Sequence, residues 1–448
     1  MLPSKNSMIK LLNGGSITIQ GELGRGGQGV VYKVLNERGE ELALKWYFEQ
    51  TLASSPDREV FYKNLEYLAR KGAPDNRFLW PIDVTQKASD GCFGYIMPLR
   101  PDGYHEMGSF IDLRVRFESE LAMYRACENV ALAFKHLHRK GLSYQDLNHG
   151  GIFIRPDTGD VLVCDNDNVA PDGSSTTNIK GFPGYMAPEV VLDLRRPWCG
   201  TDYHSLAVVL FYLTMFGHPL EGGYERRIPA LTPKMSRMLY GSEALFIFDK
   251  TNANNRPIPG VHKPPIAMWP KHPDSLKEMF CKAFSREALH CNPDQAAGVR
   301  PMPRDWARLF GNIIASMVLC PNCGKTEFIS GVGTTKCPGC GDARIVRGTI
   351  KAPYGDIPIT EGAVLRRCML NEDGSSAKMG SIVAKPGDSS VLGLKNETKT
   401  AWKVTSSGSV IEPGRSAVLS VRDAVNEGCT IDIPVQEDDS EYSTISVR

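Results

Sequence analysis

Four glycines in six residues, Gly24, Gly26, Gly27 and Gly29, stand between SITIQGEL and VVYKVLN. Both flanking stretches alternate or run β-branched, a pattern that predicts strands. The segment Gly24-Arg-Gly26-Gly-Gln-Gly29-Val-Val31 is therefore a glycine loop between two strands. Glycine lets a backbone come close to a bound group, and its amides can donate to phosphate oxygens. Taken alone, the loop fits a ligand-free glycine turn equally well. Its context excludes the dinucleotide-binding loop, which needs a helix after the glycines.

The next strand, ELALKWYF, follows a turn at Arg38–Gly39, and its apolar alternation turns Lys45 inward. Residues 57–71, acidic in the first turn and basic in the last, predict a helix. FLWPIDV and FGYIMPL predict further strands. Apolar residues at helical spacing then predict helices over 117–140, 202–217, 274–284 and 300–316. The Gly/Pro-rich segments 217–233 and 251–273 read as long loops. A β-rich part thus precedes a helical part.

The 448 residues suggest two to four domains. A net charge of +1 gives no strong pull toward nucleic acid or a membrane surface, and neither is an expected partner. The longest apolar run, Leu206–Phe216, is too short to span a bilayer, and MLPSKNSMIK lacks the apolar region of a signal peptide. Four of the twelve cysteines form one metal-type pattern and the rest are scattered singly, so a reducing, cytoplasmic setting is expected.

Just after the long helix comes Tyr144-Gln145-Asp146-Leu147-Asn148-His149-Gly150-Gly151, and then VLVCDNDNV with Asp165, Asn166 and Asp167 at the end of an apolar strand. Gly184-Tyr-Met-Ala187-Pro188-Glu189 follows, then Asp202-Tyr-His-Ser-Leu-Ala-Val-Val-Leu, then Val299-Arg300-Pro301 with Trp306 beyond. In order and spacing, residues 16–316 resemble the eukaryotic-type Ser/Thr protein kinase family. The wording FLWPID, GYIMPL, CDNDNV and YMAPE is similar to a bacterial subgroup with a C-terminal zinc ribbon. That subgroup is found beside PP2C-type phosphatases and von Willebrand A-type proteins of tellurite-resistance-like systems, which the resemblance implies as partners.

The resemblance implies an α+β, bilobal fold, with a β-rich N-lobe over 16–100 after a 1–15 extension and a helical C-lobe over 101–316. It implies ATP and Mg²⁺ (or Mn²⁺) as cofactors and a protein hydroxyl as substrate. Lys45 would hold the α- and β-phosphates, and Asp146 would take the proton of the attacking hydroxyl. Asp165 would hold the metal. Gly24, Gly26, Gly29, Val31, Ala43, Met97 and Leu99 would line the nucleotide site, with the hinge at Met97–Arg100. Glu59 is the expected carboxylate partner of Lys45; Glu66 shares its helix face. An arginine at 300 would pair with Glu189, and the Asp202 helix would anchor the catalytic loop.

Several family positions are altered. Tyr144 and Gln145 replace His and Arg, Gly151 replaces the second metal-binding Asn, and Asn166 and Asp167 replace the Phe and Gly of D-F-G. Phe182 replaces the threonine before Pro183, and Asn148 stands where a lysine is common. Asn148 and Asp167 are the expected stand-ins in the metal shell, since oxygen ligands suit Mg²⁺. Gln145 implies no need for a phosphorylated activation loop, leaving Ser174, Ser175, Thr176 and Thr177 as bystanders. The expected function is an atypical protein Ser/Thr kinase. The alternatives are a pseudokinase scaffold and, less favoured by the A-P-E segment, a small-molecule phosphotransferase.

Cys320-x₂-Cys323-x₁₃-Cys337-x₂-Cys340 has the spacing of a four-thiolate zinc site, predicting a closed structural ribbon over 317–345. The tail, 346–448, has strand-like runs at 391–395, 400–404, 417–422 and 430–435 and reads as a small β-sandwich-like interaction domain. It looks a little like a forkhead-associated sandwich but lacks the Gly-Arg and Ser-x-x-His that would bind phosphothreonine there.

Overall fold

The computed structural model describes residues 2–53, 58–174, 181–228, 230–405, 407–419, 430–435 and 441–448. Ser175, Thr176, Thr177 and the end of the 417–422 run lie outside these. The chain divides into two compact units, Met1–Arg304 and Asp305–Arg448. The division falls near the start of a helix, Pro303–Ser316.

The first unit opens with a six-stranded antiparallel sheet. Its strands are β1 (Met8–Lys10), β2 (Ser16–Arg25), β3 (Gly29–Asn36), β4 (Glu41–Tyr47), β5 (Asp83–Val84) and β6 (Gly94–Pro98), ordered β1-β2-β3-β4-β6-β5. The alternation read from the sequence sets one buried face: Ile17, Ile19, Val30, Val34, Leu44 and Ile96 are all buried along it. Helix α1 (Arg58–Lys71) buries Phe61, Tyr62, Leu65 and Leu68 at helical spacing. FLWPIDV yields a strand only at Asp83–Val84, because Pro81 has no N–H to give a ladder.

The rest of the first unit is mostly helical. Helix α2 (Glu120–Arg139) starts three residues later than its apolar pattern, where the Ser119 hydroxyl accepts the Ala122 N–H at 3.1 Å. A hairpin of β7 (Ile152–Ile154) and β8 (Val161–Val163) follows the catalytic stretch and delivers Asp165. Helix α3 (Pro188–Val191) carries Glu189, and helix α4 (Cys199–Met215) is buried almost all round. The expected loop 251–273 contains a short helix, Lys263–Met268, whose first turn holds Pro264 and Pro265, where a missing N–H costs nothing. A strand-rich sheet followed by helices is the protein-kinase-like arrangement expected.

The second unit is β-rich. After the cysteine-bearing hairpins come a six-stranded and a four-stranded sheet and, among the described residues, the short helix Arg367–Leu370. Trp402 of the larger sheet rests on Gly380 of the smaller, where a Cβ would come within 2.7 Å of the indole. Among the described residues, no helix is long and apolar enough to cross a membrane.

Candidate active site

The glycine loop joins β2 to β3 with Gly24 opposite Val31. Gly29 is required by packing, since a Cβ there would lie 2.2 Å from the Trp46 carbonyl oxygen. Gly24 and Gly26 face open space, which leaves their backbone approachable. Below the loop, Val31, Ala43, Met97 and Leu99 join one apolar cluster with Leu162, Phe153 and Cys164. Ala43 pairs with Met97 across β4 and β6, so strand register assembles this wall.

Lys45 is 7% exposed. Its Nζ donates to Asp167 Oδ2 at 2.7 Å, Asp165 Oδ1 at 3.2 Å and Gln28 Oε1 at 3.4 Å. Burial would push the ammonium down, but the charges of Asp167 and Asp165 outweigh it and hold it above its ordinary value. Burial likewise opposes the Asp167 carboxylate, yet Lys45 and the Tyr47 hydroxyl, which donates to Oδ2 at 2.5 Å, hold it below its ordinary range.

Glu59 is a correction to the sequence reading. It lies on the exposed side of α1 and its carboxylate pairs with Lys87 and Lys63, while Glu66 pairs with Arg70. The polar side chain that α1 buries is Asn64, whose amide donates to the Val169 carbonyl at 2.8 Å. Asp167 also differs from expectation. Its carboxylate is buried and one oxygen is shared by Lys45 and Tyr47, so it serves the lysine. Asp165 is the open carboxylate: its side chain is 58% exposed, and its backbone is left-handed at φ 50°.

Asp202 organises the catalytic loop, accepting the Tyr144 and Gln145 N–H groups at 2.7 and 3.1 Å. Gln145 donates to the Ser174 carbonyl at 2.6 Å, a neutral tether for the start of the activation segment. Asn148 differs from the metal role expected of it. Its amide nitrogen donates to Asp146 Oδ1 at 3.2 Å, and its oxygen accepts the Gly150 N–H at 2.9 Å. Asn168 adds a longer donation to Asp146 Oδ2 at 3.4 Å. Burial pushes the Asp146 carboxyl up, against the Asn148 hydrogen bond and with the charges of Asp167 and Asp165, to about 6.

Gly151 has a steric cause. A Cβ would sit 2.9 Å from the hydroxyl of buried Tyr144, which donates to the Cys164 carbonyl. Tyr144 thus occupies the space a side chain at 151 would need. Arg300 grips Glu189 through two bonds of 2.7 Å, both residues buried, as the motif order predicts. The sequence reading missed Gln28, Tyr47 and Asn64. Tyr47 was detectable as the next residue on the inward face after Lys45, and Asn64 as a polar residue within the apolar stripe of α1.

In the second unit, the sulfurs of Cys320, Cys323, Cys337 and Cys340 lie within 4.8 Å of one another. Sγ separations are 3.7 Å for Cys320–Cys340 and 3.6 Å for Cys323–Cys337. A tetrahedron with Zn–S of about 2.3 Å has edges of about 3.8 Å. The Cys323 and Gly339 amides point at Cys320 and Cys337 sulfurs, as in a thiolate-stabilising turn. The four thiols fit a zinc ion.

Comparison with known proteins agrees with the geometry. The family model "Protein kinase domain" matches residues 17–242. The chain is 27% identical over 233 residues to "Protein kinase C, eye isozyme" of Drosophila melanogaster, covering 50% of this chain and 31% of that protein. It is 25% identical over 197 residues to "Serine/threonine-protein kinase sck2" of Schizosaccharomyces pombe, covering 43% of this chain and 30% of that protein. A "Protein kinase C-like" protein of Hypocrea jecorina is 30% identical over 118 residues, covering 26% of this chain and 10% of its own. The match therefore spans under a third of each relative. With the family model matched over half of the chain, the chain belongs to the protein kinase domain family.

Proposed function

We propose that this chain is an active but atypical protein Ser/Thr kinase, transferring the γ-phosphate of ATP to a protein hydroxyl. The observation that carries this reading is the shared site of Lys45, Asp165 and the elevated carboxyl of Asp146 beneath an approachable glycine loop. The loop amides and Lys45 would bind the phosphates, and Asp165 would hold Mg²⁺ or Mn²⁺. A bound divalent ion neutralises developing phosphate charge. Asp146 takes the hydroxyl proton at a carboxylate oxygen, while Asn148 and Asn168 orient it. The test is labelled ATP with Mg²⁺ or Mn²⁺ and purified chain, with Asp146→Asn as control. Equal incorporation by both would sink the reading.

A second reading, a pseudokinase scaffold, is favoured by one observation: Gly151 offers no side chain and the Asn148 oxygen already accepts an N–H. Nucleotide binding without Asp146-dependent transfer would establish it. The cysteine cluster is proposed as a structural zinc ribbon and the β-rich tail as a sandwich-like interaction domain. The wording shared with the bacterial subgroup supports a cytoplasmic protein with a PP2C-type phosphatase and a von Willebrand A-type protein as partners. Co-purification of either with the tagged full chain tests this.

A further inference from the structure

A buried ammonium must keep a counter-ion, because removing one partner of a buried pair leaves an uncompensated charge. In protein kinases that counter-ion is a glutamate on the helix after the lysine strand, and the position of that helix controls activity. Here α1 supplies none. Glu59 and Glu66 pair on the surface, and what the helix offers the metal loop is the neutral amide of Asn64. Two carboxylates from one loop meet Lys45 instead, and they are not equivalent. Asp165 is open to the cleft, where a cation would draw on it. Asp167 is 1% exposed and closer to the ammonium, 2.7 Å against 3.2 Å.

Tyr47 makes the difference permanent. It lies two residues after Lys45, on the same face of β4, and its hydroxyl donates to the same Asp167 oxygen. Its ring also sits 5.6 Å from the Lys45 ammonium. Strand and loop thus lock Lys45 from both ends without any charged group of α1.

We propose that Asp167, fixed by Tyr47, is the positioning residue that seats Lys45 for the nucleotide phosphates, replacing the helix glutamate. Lysine placement is then built into the metal loop and does not wait on helix movement. This rests on the nucleotide site proposed above. Lys45 touches phosphates and not the base, so its misplacement has a selective signature. The test measures Mg²⁺-ADP and adenosine binding by calorimetry, with thermal midpoints, for the full chain and its variants.

Asp167→Asn should weaken Mg²⁺-ADP about tenfold, the loss of one charge-assisted contact, and leave adenosine unchanged. Tyr47→Phe should do the same to a smaller extent. Glu59→Gln should change neither ligand. Supplying the carboxylate from the helix, Asn64→Glu in an Asp167→Gly background, should recover ADP binding. Parent-like ADP affinity in Asp167→Asn and Tyr47→Phe would overturn the proposal. So would equal losses for ADP and adenosine, which would mark a role in the fold alone. A parent chain that binds neither ligand would instead overturn the nucleotide site itself.

Discussion

Asp146→Asn should stop phosphate transfer and at the same time stabilise the protein. The Asp146 carboxyl holds its proton up to about 6, against an ordinary 3.8. Each tenfold change in proton affinity is worth about 1.4 kcal/mol, so the ionised, largely buried group costs about 3 kcal/mol. Below pH about 4, folded and unfolded chains both keep the proton and the cost vanishes. Between about 4 and 6 only the unfolded chain ionises, so stability falls as pH rises, and above about 6 the cost is complete. Asparagine removes the charge but turns an NH₂ toward one of two donors, Asn148 or Asn168. That forfeits about 1 kcal/mol. The net gain at pH 7.5 is about 2 kcal/mol, or on the order of 5 °C in the midpoint. Calorimetry of the nucleotide-free full chain at pH 7.5 and 4.5 reads it. A variant no more stable than the parent at pH 7.5, or a gain that persists undiminished at pH 4.5, would refute the reasoning.

Lys45→Met should abolish tight Mg²⁺-ATP binding and lower stability by about 3 kcal/mol, because it strands the buried Asp167 charge; adding Asp167→Asn should restore the midpoint but not the binding measured by calorimetry. Gly151→Asn should destabilise by about 1–3 kcal/mol through overpacking against Tyr144, and Tyr144→Phe should relieve it, a coupling that a double-mutant cycle in urea reads. Phosphatase treatment should leave the transfer rate unchanged, because Gln145 already tethers Ser174 without a phosphate; a large reversible loss would show a basic residue elsewhere doing that work. Elemental analysis should find about one zinc per chain, and Cys337→Ser or a chelator should destabilise the second unit while Mg²⁺-ADP binding by the first persists.

The family was legible in the chain because its landmarks are local and ordered. A glycine loop between two strands, a lysine on the inward face of the next, and Ala187-Pro188-Glu189 far upstream of Arg300 can each be recognised without knowing what touches what. The four cysteines were legible for the same reason, since two C-x-x-C turns carry their own geometry. Contacts between distant segments that no family motif records were not. Glu59 looked right by its distance from Lys45 in the sequence, but helix rotation about its axis is set by packing of Phe61, Leu65 and Leu68, and that packing leaves Glu59 outside. Asn148 had the right amide and the wrong direction, because its oxygen is claimed by a backbone N–H two residues on. The Asp at 167, in place of the family Gly, read as a stand-in metal ligand. Only the tertiary structure brings that carboxylate to Lys45 and Tyr47, 122 and 120 residues away in sequence, where burial makes an ion pair obligatory and decides which acid supplies it.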